Sequence, residues 1–131
     1  MSPATHRGLV LIADDDDEMR IALREFLAGE GYDVIEADNG ALALEMLAAA
    51  ADGHAPLPDV VLLDFVMPGF SGLGILRVMR RFVRVPPTII MTALLDPSVE
   101  TFARNLGAIR LLRKPIDEDT LGALIVEAMR G

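Results

Sequence analysis

Cysteine is absent from this 131-residue chain, which excludes a disulfide framework and thiolate chemistry and fits a reducing compartment. No apolar signal core opens the sequence, and the longest weakly polar stretch, residues 42–51, is interrupted by Glu45 and too short to span a bilayer. The expectation is a soluble, cytoplasmic protein without membrane contact. Lysine is almost missing: of the twelve basic residues only Lys114 is not Arg, and it directly precedes Pro115. A compact ammonium suits a point partner for an anion, where a solubilising charge could be either residue. Basic charge is also in deficit, with a net charge of −8. That argues against nucleic-acid binding through a broad basic face, which needs clustered Lys and Arg. Arg77, Arg80, Arg81 and Arg84 do cluster, and read as a solvated helix face. What is present is the length of one ordinary domain, able to bury roughly two thirds of its unfolded surface around one core.

The stretch from Asp59 to Gly69 organises the remainder. Val60 to Leu63 form an apolar run of the length expected of a strand buried on both faces, and it ends abruptly in Asp64. Pro68-Gly69 then force a turn. Asp64 is read as an acid presented at the carboxyl end of a central strand, where open parallel sheets hold their ligands; an Asp that merely caps the turn is the alternative.

In chain order, Leu9–Ala13 is a strand that runs into the acids Asp14, Asp15, Asp16 and Asp17, followed by Glu18. Ala22, Leu23, Phe26 and Leu27 repeat at helical spacing, and Gly29 with Gly31 closes that helix. Tyr32–Ala37 reads as a second strand, Asn39-Gly40 as the start of an alanine-rich helix to about Ala51, and Asp52–Pro58 as a loop. Ser71–Phe82 has helical period with Ser71 as N-cap, and Thr88–Met91 leads as a strand into Thr92. Pro97 begins a helix to about Leu106, Ile109–Leu112 form a fifth strand ending at Arg113-Lys114-Pro115, and Asp117–Met129 is the last helix. Alternation of five strands and five helices predicts an α/β domain, a doubly wound parallel sheet covered on both faces, commonly of order 2-1-3-4-5. That order sets Asp14 or Asp15 across a crevice from Asp64, with Thr92 and Lys114 approaching from the ends of the fourth and fifth strands.

Carboxylates converging there repel one another unless a cation sits between them. Mg²⁺ suits the task, since it binds through one or two carboxylates, keeps waters and leaves room for phosphate oxygens. Asp64 is then a candidate nucleophile toward phosphorus, with Thr92 and Lys114 as charge partners. For Asp16 and Asp17 the capping of a helix start is sufficient explanation.

The ordered set resembles the receiver domain of two-component response regulators over nearly the whole chain, about Leu9 to Met129. The acid pair Asp14-Asp15 followed by Met19-Arg20, the segment LLDFVMPGFSG, the MTA of residues 91–93 and the KP at Lys114-Pro115 carry the resemblance. It implies a three-layer (βα)5, flavodoxin-like fold and Asp64 as phosphoacceptor from a histidine kinase or histidine phosphotransfer protein. It further implies Mg²⁺ held by Asp15, Asp64 and the Val66 backbone carbonyl, with Asp14 acting through water, Thr92 and Lys114 on the phosphoryl group, and a cis Lys114–Pro115 bond. Such a domain is a phosphoacceptor, not an enzyme, and binds no nucleic acid itself. The whole chain reads as one such domain with no output domain, either stand-alone or cut from a longer protein. Helix 1, with Ile21 off its apolar stripe, is the expected kinase contact. The face of helix 4, strand 5 and helix 5 is expected to meet a downstream target or a second copy.

Three departures accompany the resemblance. Leu111 stands where the family usually has an aromatic switch residue; Val66 and Leu94 are both apolar at positions that vary and are expected to hinder the attacking water; and the loop Asp52–Pro58 is long, read as a surface insertion. A haloacid dehalogenase-type phosphatase would need a second Asp where Val66 stands, and a flavin module would need a glycine loop after the first strand. A degenerate receiver acting only as an interaction module is the remaining alternative.

Overall fold

A computed structural model describes residues 6–93 and 96–130. In chain order the elements are β1 (Gly8–Ala13), α1 (Asp17–Gly29), β2 (Tyr32–Ala37), α2 (Gly40–Ala51), β3 (Val60–Asp64), α3 (Gly72–Met79), β4 (Thr88–Thr92), α4 (Pro97–Asn105), β5 (Arg110–Arg113) and α5 (Glu118–Arg130). The strands form one sheet of order β2-β1-β3-β4-β5, and every neighbouring pair is parallel. The expected doubly wound, flavodoxin-like architecture is the one observed.

Alternation along the strands divides the core between the two faces of the sheet. Leu11, Ala13, Val61, Leu63 and Ile90 pack with Ala43 and Leu47 of α2, Ile75, Leu76 and Met79 of α3 and Ala103 of α4. Val10, Ile12, Val60, Leu62, Ile89 and Met91 pack with Leu23 and Leu27 of α1 and Leu121, Ile125 and Ala128 of α5. Both faces of β3 are therefore covered, and its four apolar residues are fully buried, each stabilising the fold by about 1.5 to 3 kcal/mol.

The helix starts follow local side-chain chemistry. Asp16, Asn39, Ser71 and Asp96 each accept a hydrogen bond from an amide in the first turn that follows, satisfying donors that have no partner inside the helix. Asp17 is not a cap but the first residue of α1, paired with Arg20 at 2.7 Å. Ala22 faces solvent rather than the core, because the stripe of α1 runs through Leu23 and Leu27. The third helix stops at Met79 and not at Phe82: the Arg81 and Phe82 amides donate to Val78 and Met79 carbonyls, three residues back, and this tighter turn brings the chain round toward Pro86-Pro87 and β4. Arg77, Arg80, Arg81 and Arg84 are exposed, as a solvated face requires. The long loop is anchored: the Asp59 amide donates to the Leu9 carbonyl, and the Leu9 amide donates to Asp59 Oδ2, both at 2.8 Å. Ala55, Pro56 and Pro58 of that loop wall an apolar cavity of about 380 Å³ against α2 and β1. The Lys114–Pro115 bond is cis.

The turn after β3 is held by close backbone approach. The Gly40 amide donates to the Pro68 carbonyl at 2.9 Å, and a Cβ on Gly40 would lie 2.2 Å from the Phe70 carbonyl oxygen. A Cβ on Gly72 would lie 2.6 Å from the carbonyl oxygen of Asp64 itself. Gly29 faces open space. Ala at position 29 is accordingly expected to be neutral or stabilising by up to about 1 kcal/mol, whereas Gly72→Ala is expected to destabilise by about 1 to 3 kcal/mol through displaced backbone. Urea unfolding of both variants checks this, and equal effects would sink the packing account.

Candidate functional site

Four strand ends meet at the switch point between β1 and β3. Register pairs Ala13 with Leu63, so the next residues, Asp14 and Asp64, emerge side by side. Thr92 pairs with Arg113, which delivers Lys114 beside the end of β4. The loops are tied to the strands by main-chain bonds: Asp14 amide to Ala37 carbonyl at 3.1 Å, Phe65 amide to Met91 carbonyl at 2.8 Å, and Lys114 amide to Thr92 carbonyl at 2.8 Å.

Within this crevice Asp14 is 0% exposed, Asp64 6% and Thr92 2%. The Lys114 ammonium lies 3.1 Å from Asp14 Oδ2 and 3.1 Å from Asp64 Oδ1, bridging the acids at the ends of β1 and β3. Asp14 Oδ1 accepts from the Asp16 amide at 2.9 Å, and Asp64 Oδ1 accepts a longer bond of 3.4 Å from the Val66 amide. Asp15 is exposed. Asp14, Asp15 and Asp64 each offer a carboxylate oxygen within 4.8 Å of the others. All the sequence-predicted side chains thus converge. The direct Asp14–Lys114 pair was not among the expectations, since the two residues stand 100 positions apart in sequence. Val66 is 69% exposed at the mouth of the crevice. Leu94 lies outside the described residues. Leu111 is half-buried, packed into the core on the α2–α4 side of the sheet.

Burial and the neighbouring Asp14 charge push the Asp64 carboxyl up to about 6, although the Lys114 hydrogen bond and charge pull the other way. For Lys114 burial opposes the charge, but the hydrogen bonds it donates to Asp14 and Asp64, with the charges of those acids, outweigh it and raise the ammonium above its ordinary value. Lys114 is therefore charged throughout the neutral range. One ammonium against three clustered carboxylates leaves excess negative charge, and the donors are hard oxygens with one acid open to solvent. That set fits Mg²⁺, which prefers oxygen ligands and retains waters.

Sequence reasoning passed over Glu36. It sits on β2, partly buried, and binds Arg20 at 3.1 Å and Arg24 at 2.9 Å. Nothing in the local pattern singled it out, since β2 carries a second acid, Asp33, that makes neither contact.

A family model described as the response regulator receiver domain matches residues 10–126. The DNA-binding transcriptional regulator NtrC of Escherichia coli (strain K12) is 39% identical over 123 residues, covering 94% of this chain and 25% of NtrC. Sporulation initiation phosphotransferase F of Bacillus subtilis (strain 168) is 36% identical over 112 residues, 86% of either chain. The receiver domain of Francisella response regulator 1452 superposes with a TM-score of 0.86 at 25% identity, over 95% of this chain and 98% of that one. Full-length FixJ from B. japonicum gives 0.82 at 32% identity, over 96% of this chain and 59% of that one. The chain spans about a quarter of the length of NtrC.

Because the Asp64 pKa is raised on folding, the native state holds its proton more tightly than the unfolded chain between about pH 4 and pH 6. Stability is thus lost as pH rises through that window, and above it the ionised Asp64 is a burden. In EDTA at pH 7.5, Asp64→Asn is expected to be more stable than wild type by about 1 to 3 kcal/mol, with the gap closing toward pH 4. Urea titrations at both pH values decide it; a less stable variant at pH 7.5 would contradict the burial account.

Proposed function

This chain belongs to the response regulator receiver domain family, and on that premise we propose that Asp64 accepts a phosphoryl group from a phosphohistidine on a histidine kinase or phosphotransfer protein. The observation that carries the proposal is the Lys114 ammonium at 3.1 Å from both Asp14 and Asp64, beside a cluster of three carboxylates at the strand switch point. In the reaction a carboxylate oxygen of Asp64 bonds to phosphorus. The bond from phosphorus to the donor imidazole nitrogen breaks, and the nitrogen keeps the electron pair. Lys114 neutralises charge on the phosphoryl oxygens, and the Thr92 hydroxyl at the end of β4 donates to one of them. Asp15, Asp64 and the Val66 backbone carbonyl would hold Mg²⁺, with Asp14 acting through water. When bound, the ion supplies the divalent charge that lets an anionic acceptor and an anionic phosphoryl group approach.

The fit of the full acid set, Thr92 and Lys114 in one crevice supports this reading over a receiver reduced to an interaction module. Val66, where a phosphatase of the haloacid dehalogenase type would carry its second Asp, gives no acid and base. The protein is accordingly a phosphoacceptor that catalyses only its own phosphorylation and dephosphorylation. We read the chain as one receiver domain working in the cytoplasm; among the described residues no helix is long and apolar enough to cross a membrane. Ile21, 39% exposed on α1, is available to a kinase. Phe102 on α4 and Ile109 just before β5 are exposed apolar residues, which supports a target or second copy docking on that side. This domain is not expected to bind nucleic acid directly.

Incubation with acetyl phosphate and Mg²⁺, read by intact mass, is expected to add one phosphoryl group that disappears in EDTA and in Asp64→Asn. A receiver that never gains mass with any small donor, or an Asn variant that gains it equally, would overturn the assignment. The exposed Val66 side chain offers the attacking water no polar partner, so Val66→Asn is expected to speed loss of the phosphoryl group several-fold. Decay of the phosphorylated protein after donor removal measures this, and a slower decay would count against it.

A further inference from the structure

Arg20 enters the acidic loop from α1 with its side chain only 12% exposed. Every nitrogen of its guanidinium is used. Nη1 donates to the backbone carbonyl of Asp14 at 2.8 Å, Nη2 to Asp17 Oδ1 at 2.7 Å, and Nε to Glu36 Oε1 on β2 at 3.1 Å. The carbonyl it grips belongs to the peptide linking Asp14 to Asp15. On the other side of that linkage, the Asp14 carboxylate accepts from the Asp16 amide at 2.9 Å. The peptide between the two acids is therefore held at its oxygen by Arg20, and the amide of the following peptide, that of Asp16, donates to Asp14 itself. Among the described contacts Arg20 makes no hydrogen bond to the carboxylates of Asp14, Asp15 or Asp64.

We infer that Arg20 is a positioning residue for the divalent-cation site: by clamping the Asp14–Asp15 peptide to α1 and β2, it keeps the buried Asp14 and the solvent-facing Asp15 aimed at one ion. The inference rests on the reading above that the crevice takes Mg²⁺. A planar fork with fixed donor directions is required, because three acceptors from the loop, the helix and the strand surround it in different directions, and a lysine could meet them only as a point charge. The sign of the effect separates positioning from electrostatics. Arg20 is a cation close to a cation site, so by charge alone its removal would tighten Mg²⁺ binding; loss of a clamp weakens it.

The test is calorimetric titration with Mg²⁺ of wild type, Arg20→Gln, Arg20→Lys and Arg24→Gln, with amide hydrogen exchange of the metal-free proteins. Arg24 also binds Glu36 but touches neither acid nor the Asp14 carbonyl among the described contacts. Positioning predicts that both Arg20 variants bind Mg²⁺ about tenfold more weakly or worse, as loss of an outer support typically does, and that Arg24→Gln stays near wild type. It also predicts faster exchange of the Asp16 amide in both Arg20 variants without metal, and a wild-type extent of phosphorylation once Mg²⁺ saturates. Arg20→Lys carries the test if the Gln variant does not fold. Tighter or unchanged Mg²⁺ binding in the Arg20 variants, full rescue by Lys, or an equal loss in Arg24→Gln overturns the inference alone. A wild type that binds no Mg²⁺ overturns the metal reading and this inference with it.

Discussion

Two carboxylates from strands that lie side by side, Asp14 and Asp64, are pressed into a crevice with almost no exposure, and one ammonium holds both. Taking charges out of water costs several kcal/mol per ion unless each finds a partner. Lys114 meets that requirement from the far side of the sheet. Its own backbone is hydrogen-bonded to the Thr92 carbonyl, so the bridge ties the ends of β1, β3, β4 and β5 at one point. Compensation is incomplete, as the raised Asp64 pKa records. An unliganded fold that carries uncompensated negative charge is one that gains from binding a cation or from covalent change at Asp64.

The rest of the molecule keeps those strand ends in register. Covering both faces of β3 makes its position a property of the whole core. The loop that follows Asp64 is then pinned against α2 through contacts at Gly40 and against the Asp64 backbone through Gly72, where any side chain would force the main chain apart. Glycine here is used for close approach, and the turn after the acceptor is correspondingly fixed in shape.

Much of this was legible from residue order. A short apolar run ending in an acid reads as a buried strand with a presented carboxylate, and alternation with helices dictates a parallel sheet, so the convergence of Asp14, Asp15, Asp64, Thr92 and Lys114 followed from topology. Asp16 and Ser71 were recognisable as caps from their chemistry. The boundary of α3 was not, because the Val and Arg residues after Met79 continue a helical pattern while the need to return to β4 tightens the turn. Ala22 was misplaced for a related reason: alanine fits either face of a helix, and only Leu23 and Leu27 define the stripe. Lys114 pairing with Asp14 and Arg20 pairing with Glu36 depend on distances across the fold, 100 and 16 residues apart in sequence, that no local pattern encodes.

The sheet is not equally protected from end to end. β3 is hydrogen-bonded on both sides and its apolar residues are fully buried, while β5 is an edge strand with half-buried residues. Local opening draws on the least protected units first, and central strands open only with the whole molecule. The Asp64 carboxylate therefore ends the best-protected strand, whereas its ammonium partner follows directly on an edge strand. Local opening at the β5 edge would withdraw the counter-charge and leave the acids in place, which couples the charge balance of the crevice to the border of the sheet.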